Sequence, residues 1–129
     1  MSRGLADTSV FIAQEAGRPM DEQALPADLA VSFITIGELT SGVLSATGPD
    51  IRAQRLSTLA SALALGPLPV DHAVAEAWAR LRLLLLDAGQ RMPVNDSWIA
   101  ATAIAWGVPI VTQDADYDVS VAGLDVIRV

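Results

Sequence analysis

"VPIVTQDADYD", residues Val108 to Asp118, runs from an apolar segment through a threonine into three aspartates at alternate positions. Its first half reads as a buried strand of β-branched residues, and its second half as the loop into which that strand opens. Just upstream, "MPVNDSWIAATAIAW" (Met92 to Trp106) reads as a loop, a helix cap at Asn95 or Asp96 and an alanine-rich buried helix that stops at Gly107. Just downstream, "LDVIRV" (Leu124 to Val129) alternates enough to be an edge strand. The uncharged run Ser97 to Gln113 approaches the length of a membrane span, but Gly107 and Pro109 interrupt it, so helix, turn and strand is the better reading.

The same handover from strand to acid recurs at the start of the chain. Gly4 to Ala6 lead into "DTSVFI", which places Asp7 where a first strand gives way to a helix. "GRPMDEQALPAD" is a loop or short helix, "LAVSF" a second strand, and "ITIGELTSGVLSA" a helix carrying Glu38. "GPD" at 48 to 50 opens a further helix with Leu56, Leu59 and Leu63 at helical spacing, which Pro67 and Pro69 end. "LPV" at 68 to 70 carries a weak strand signal, and Asp71 caps a long helix with Trp78, Leu81, Leu84 and Leu85 on one side. About five strands separated by helical patterns imply an α/β domain, 1–129, with a mainly parallel sheet, because parallel neighbours need crossover connections. In such sheets ligands bind beyond the carboxyl ends of the strands, where Asp7 and Asp114 fall.

Composition narrows the functional classes. At 129 residues, 52% hydrophobic and 18% charged, the chain is sized for one compact core. Without cysteine it can build neither a disulfide nor a thiolate site, which favours a reducing, cytoplasmic setting, and the acid at Asp7 ahead of any long apolar run argues against a signal peptide. No membrane association is expected. A formal charge of −7 excludes nucleic-acid binding by broad phosphate neutralisation, although a bound cation can reverse the sign locally. All eight basic residues are arginines, and the absence of lysine disfavours phosphate-transfer modules and small phosphatases, which resemble families that use a lysine in the site.

Each acid has an ordinary structural reading. Asp7 fits a helix cap with Thr8 and Ser9 beside it, Glu38 closes a capping box with Thr35, and Asp96 suits a helix N-terminus through the macrodipole. The three aspartates of the opening stretch fail as a calcium loop: with Asp114, Asp116 and Asp118 at positions one, three and five, the glycine and glutamate required later are Val119 and Asp125. Together, however, Asp7, Glu38, Asp96 and Asp114 converge on one rim, and crowded carboxylates repel unless a hard divalent cation neutralises them. Such a site can activate water against a phosphodiester.

"LADTSVFI", "ITIGEL", "NDSWIAATA" and "IVTQDADY" resemble, in order and over nearly the whole chain, the four acidic motifs of PIN-domain nucleases, and the short length is similar to that of VapC-type toxins of bacterial toxin–antitoxin pairs. The resemblance implies a three-layer α/β/α sandwich and a metal-dependent endoribonuclease using Mg²⁺ or Mn²⁺. It places Asp7, Glu38, Asp96 and Asp114 on the acidic quartet, Asp116 as an auxiliary acid, and Thr8 and Thr112 as supporting hydroxyls. Asp7 and Asp96 would be the most direct ligands, while Asp118 faces solvent. It also implies an RNA substrate, a cognate antitoxin and a homodimer, for which the four successive leucines Leu83 to Leu86 give modest independent support. Tyr117 stands where such sequences commonly have phenylalanine, which leaves its hydroxyl needing a partner or solvent. Trp78, Trp98 and Trp106 are expected to fill core. The competing reading is a noncatalytic domain of the same fold whose acids hold a structural cation or an arginine-bearing partner.

Overall fold

A computed structural model describes residues 2–121 and 123–129 of the chain. Four strands, β1 (Arg3–Ala6), β2 (Asp28–Ala30), β3 (Ile110–Thr112) and β4 (Val126–Arg128), form one sheet in the order β2-β1-β3-β4, with every pairing parallel. Five helices accompany them: α1 (Thr8–Ala16), α2 (Phe33–Leu44), α3 (Pro49–Leu63), α4 (His72–Asp87) and α5 (Val94–Trp106). The chain leaves β1 for β2 on one side, while β3 pairs on the other. The crevice beyond the carboxyl ends of β1 and β3 is therefore the topological switch point, the usual ligand position in such sheets.

The two-residue period of the strands sorts the core into two layers. Leu5, Ala30 and Ile110 face Leu81 and Leu85 of α4 and Ile99, Ala100 and Ala103 of α5. Ala6, Val31 and Val111 face the other way, against Val10 and Phe11 of α1, Leu39 of α2 and Ala62 of α3. The result is the expected α/β/α sandwich. Gly4 admits the close approach of neighbouring strands: a Cβ there would lie 2.6 Å from Cγ2 of Val111 and 2.9 Å from Cγ of Pro26.

Among the described residues the sheet has four strands where about five are expected. "LPV" contributes only an isolated parallel bridge between Leu68 and Ser32, in which the Leu68 amide donates to the Val31 carbonyl at 2.8 Å and the Phe33 amide to the Leu68 carbonyl at 3.2 Å. Pro67 and Pro69 flank that bridge without an N–H to extend it. The second strand also ends early, because the Ser32 hydroxyl accepts from the Ile34 amide and starts α2 at Phe33.

Other helix starts follow local chemistry. Asp71 caps α4 by accepting from the Val74 amide at 3.0 Å, and Gly48 with Pro49 opens α3. The cap expected at Asn95 or Asp96 falls instead on Pro93, which puts Asp96 inside the first turn of α5. Trp78 and Trp98 stack at 4.3 Å, with ring planes 4° apart, in the seam between α4 and α5. Trp106, expected in the core, is 45% exposed at the end of α5, beneath the Arg3 guanidinium. Among the described residues no helix is long and apolar enough to cross a membrane.

Candidate metal centre

Asp7 follows β1 directly and is the N-terminal boundary residue of α1, yet its side chain makes no capping bond. Its backbone amide donates to the Val111 carbonyl at 3.0 Å, which pins the end of β1 to β3. The carboxylate is instead held by the Ser9 hydroxyl, which donates to Oδ1 at 2.6 Å. Ser9 also accepts from the Gln113 amide at 2.9 Å and lies 3.3 Å from the Thr112 hydroxyl. One serine thus joins the loops after β1 and β3. Thr112 accepts from the Asp114 amide at 2.8 Å, and Asp114 in turn accepts from the Asp116 amide at 2.9 Å, opening a 3₁₀ turn at Ala115–Tyr117.

Glu38 does not close a capping box, since α2 is capped from Ser32, three residues before Thr35. Its Oε1 accepts from the Thr8 hydroxyl at 2.7 Å, and that hydroxyl lies 3.1 Å from the Thr35 oxygen. Thr8 therefore fixes the α2 acid to the start of α1. Of the expected acids, Asp96, Asp114 and Asp116 each offer a carboxylate oxygen within 4.8 Å of the others. Asp116, expected only as an auxiliary, is thus part of the tightest group. Asp118 lies outside it, exposed and paired with Arg128.

Electrostatics tie Asp7 to this group. Asp7 is buried, 2% exposed, and desolvation raises its pKa to about 6 against the lowering effect of the Ser9 and Thr112 hydrogen bonds, with the Asp114 charge raising it further. Asp96 is raised to about 7, first by desolvation, then by hydrogen bonding with Asp116 and by the charges of Asp116, Asp114 and Asp7. Two raised carboxyls from different elements mean that the site resists holding its full negative charge alone.

The residues fit a hard divalent cation on three counts. The donors are all oxygens, as Mg²⁺ and Mn²⁺ prefer. Three carboxylates meet at ligand-like separations across two segments, the start of α5 and the turn after β3. Beside them, the buried Tyr117 hydroxyl has no hydrogen-bond partner, so the polar lining of the site is incomplete as it stands. Asp7 is coupled by charge to Asp96 and Asp114 on this rim, and Glu38, held by Thr8, stands on its α2 side; these acids and Asp116 would be the ones to hold such an ion.

The sequence reading takes Ser9 only as a neighbour of Asp7 at a helix cap and misses it as the group that holds the carboxylate. Its signal was a hydroxyl two residues after a strand-end aspartate, too common a pattern to single out. A separate hollow between α4 and α5, lined by Arg82, Leu86, Arg91 and Met92 among others, has none of the acids in its lining.

The fold and acidic rim define a class, and comparison with known proteins supplies it. Residues 5–120 match the PIN domain family model. The chain belongs to the PIN-domain family. Within that family it is 48% identical over 128 residues to Ribonuclease VapC5 of Mycobacterium tuberculosis, covering 98% of this chain and 95% of that protein. It is 53% identical over 115 residues to Ribonuclease VapC4 of the same organism, covering 89% and 88% respectively. Among solved structures, a member of the VapBC family of toxin–antitoxin systems, VapBC-5 from M. tuberculosis, superposes with a TM-score of 0.91 at 45% identity over the whole of both chains.

Proposed function

We propose that this protein is the toxin of a bacterial toxin–antitoxin pair, a metal-dependent endoribonuclease that hydrolyses RNA phosphodiester bonds with Mg²⁺, or alternatively Mn²⁺, acting as a single domain in the cytoplasm. The observation that carries the reading is the meeting of Asp96, Asp114 and Asp116 within 4.8 Å, beside the buried Asp7, at the switch point of the sheet. Its VapC relatives, named ribonucleases, support the substrate class.

The chain's own groups divide the work. Ser9 holds Asp7, Thr8 holds Glu38, and Thr112 holds the backbone of Asp114, so the acids sit on strand ends and helix starts rather than on free loops. Asp7 and Asp96 must give up their protons to act as ligands, which links the site to pH. When bound, the cation supplies Lewis-acid stabilisation of phosphoryl charge and activation of water. It also offsets the repulsion that the acidic rim would exert on a phosphate backbone.

A groove between α1, α2 and α3 runs up to Glu38 and is lined by Ile12, Leu39 and Arg55 among others. It is the surface on which we place the antitoxin, because it adjoins the acids and exposes apolar side chains. Leu83 and Leu86 on α4 are 63% and 75% exposed, which supports a homodimer through that helix. The direct test is cleavage of labelled RNA by the purified protein: activity should vanish with a chelator and return with Mg²⁺ or Mn²⁺, and cleavage that persists under chelation would refute the reading.

A further inference from the structure

Tyr117 closes the 3₁₀ turn that begins after Asp114, and its ring is 1% exposed. The ring packs in the layer of Leu5, Ile99, Ala100 and Ile110, a role that phenylalanine fills equally well. The extra atom is the hydroxyl, and among the described residues it is the one fully buried side-chain polar atom without a hydrogen-bond partner. Native proteins rarely bury a hydroxyl with nothing to bond, so this atom calls for a use.

Its surroundings indicate one. Burial first, and then the charges of Asp7, Asp96 and Glu38, push the phenol's pKa up. A phenol hydroxyl can donate, and ionised carboxylates can only accept. Asp96 is the acid that α5 carries one turn before Ile99 and Ala100, the residues of that helix in the ring's own layer. No atom meets hydrogen-bond geometry with the hydroxyl, so the acceptor capacity of Asp96 is not taken up by it in this structure. Asp96 also belongs to the trio of carboxylates within 4.8 Å of one another. Asp7, Glu38 and Asp114 are each fixed by a hydroxyl or an amide, whereas among the described residues the hydrogen-bonding neighbour of Asp96 is another acid, Asp116.

We propose that Tyr117 is a positioning residue of the metal centre, its hydroxyl donating to the Asp96 carboxylate and holding it in the orientation that a divalent cation requires. An ionised carboxylate has about four acceptor sites, so accepting from Tyr117 leaves Asp96 free to ligate. Partners that orient metal ligands in this way typically change affinity by about 10–100-fold when removed. The proposal rests on the metal-centre reading above.

Tyr117→Phe tests it, because the substitution deletes one oxygen and preserves the ring. Two measurements on the full chain separate positioning from packing: calorimetric titration with Mn²⁺ at about pH 8, and thermal melting in EDTA. Tyr117→Phe should weaken Mn²⁺ binding by about 10-fold while melting at or above the wild-type temperature in EDTA. RNA cleavage by the variant should recover at high Mn²⁺, shifting the metal dependence more than the maximal rate. Wild-type Mn²⁺ affinity in Tyr117→Phe would overturn the inference alone. So would a lower melting temperature in EDTA, which would reveal a purely structural hydroxyl. No Mn²⁺ binding by the wild type would overturn the metal-centre reading itself.

Discussion

Replacing Asp7 with asparagine should stabilise the protein while destroying its activity. The carboxyl is 2% exposed, and its pKa is raised from 3.8 to about 6, mainly by desolvation. At about 1.4 kcal/mol per pK unit, keeping this group ionised in the fold costs about 3 kcal/mol above that pH. The sign follows from proton binding. Between 3.8 and about 6 the native state holds a proton that the unfolded chain has released, so unfolding free energy falls as pH rises through that window and the loss is complete above it. Asp96, raised to about 7, extends the decline in the same direction. Asparagine keeps an acceptor for the Ser9 hydroxyl and removes the charge.

Urea unfolding in EDTA should therefore show the wild type less stable at about pH 8 than at about pH 4.5. Asp7→Asn should flatten much of that slope and gain about 1–3 kcal/mol at pH 8, the lower figure allowing for the desolvation of the amide. A variant no more stable than wild type at pH 8, together with a wild type whose stability does not fall between the two pH values, would refute the claim that the site stores unfavourable charge.

Cation affinity should move the opposite way with pH: Mn²⁺ should bind more weakly at about pH 5.5 than at about pH 8, because Asp7 and Asp96 must be deprotonated to ligate, and titration calorimetry in buffers of different ionisation enthalpy should register the released protons. Thr8→Val should lower cleavage modestly by freeing Glu38, within about 10–100-fold, without changing the melting temperature in EDTA by more than a few degrees. Gly4→Ala should destabilise the fold by about 1–3 kcal/mol in urea titrations, since the added methyl meets Val111 and Pro26 at the sheet centre.

Much of this molecule was legible in its sequence for a physical reason. Parallel strands must be joined by crossovers, so the alternation of apolar strands and helical patterns fixes where carboxyl ends fall, and acids just after "GLA" and "PIVT" land on one rim. What escaped depended on contacts between distant segments. The bridge at Leu68 reads as a strand until Pro67 and Pro69 are seen to deny it further donors. Glu38 looks like a capping partner for Thr35 until Thr8, 30 residues away in sequence, supplies its hydrogen bond. Ser9 seemed an incidental neighbour of Asp7, and only the approach of Thr112 and Gln113, more than 100 residues on, makes it the joint of the site. Trp106 carries the same apolar signal as Trp98, yet the end of α5 leaves it half in solvent.

The central claim is that the acids of the β1 and β3 rim hold a catalytic cation. Its most direct measurement is Mn²⁺-dependent cleavage of one labelled RNA by the wild type, Asp96→Asn and Asp114→Asn at equal folded concentration. The account predicts that both variants lose more than the roughly 100-fold that removing an outer partner of a metal ligand can cost, with their folds intact. Wild-type cleavage by either folded variant would contradict it.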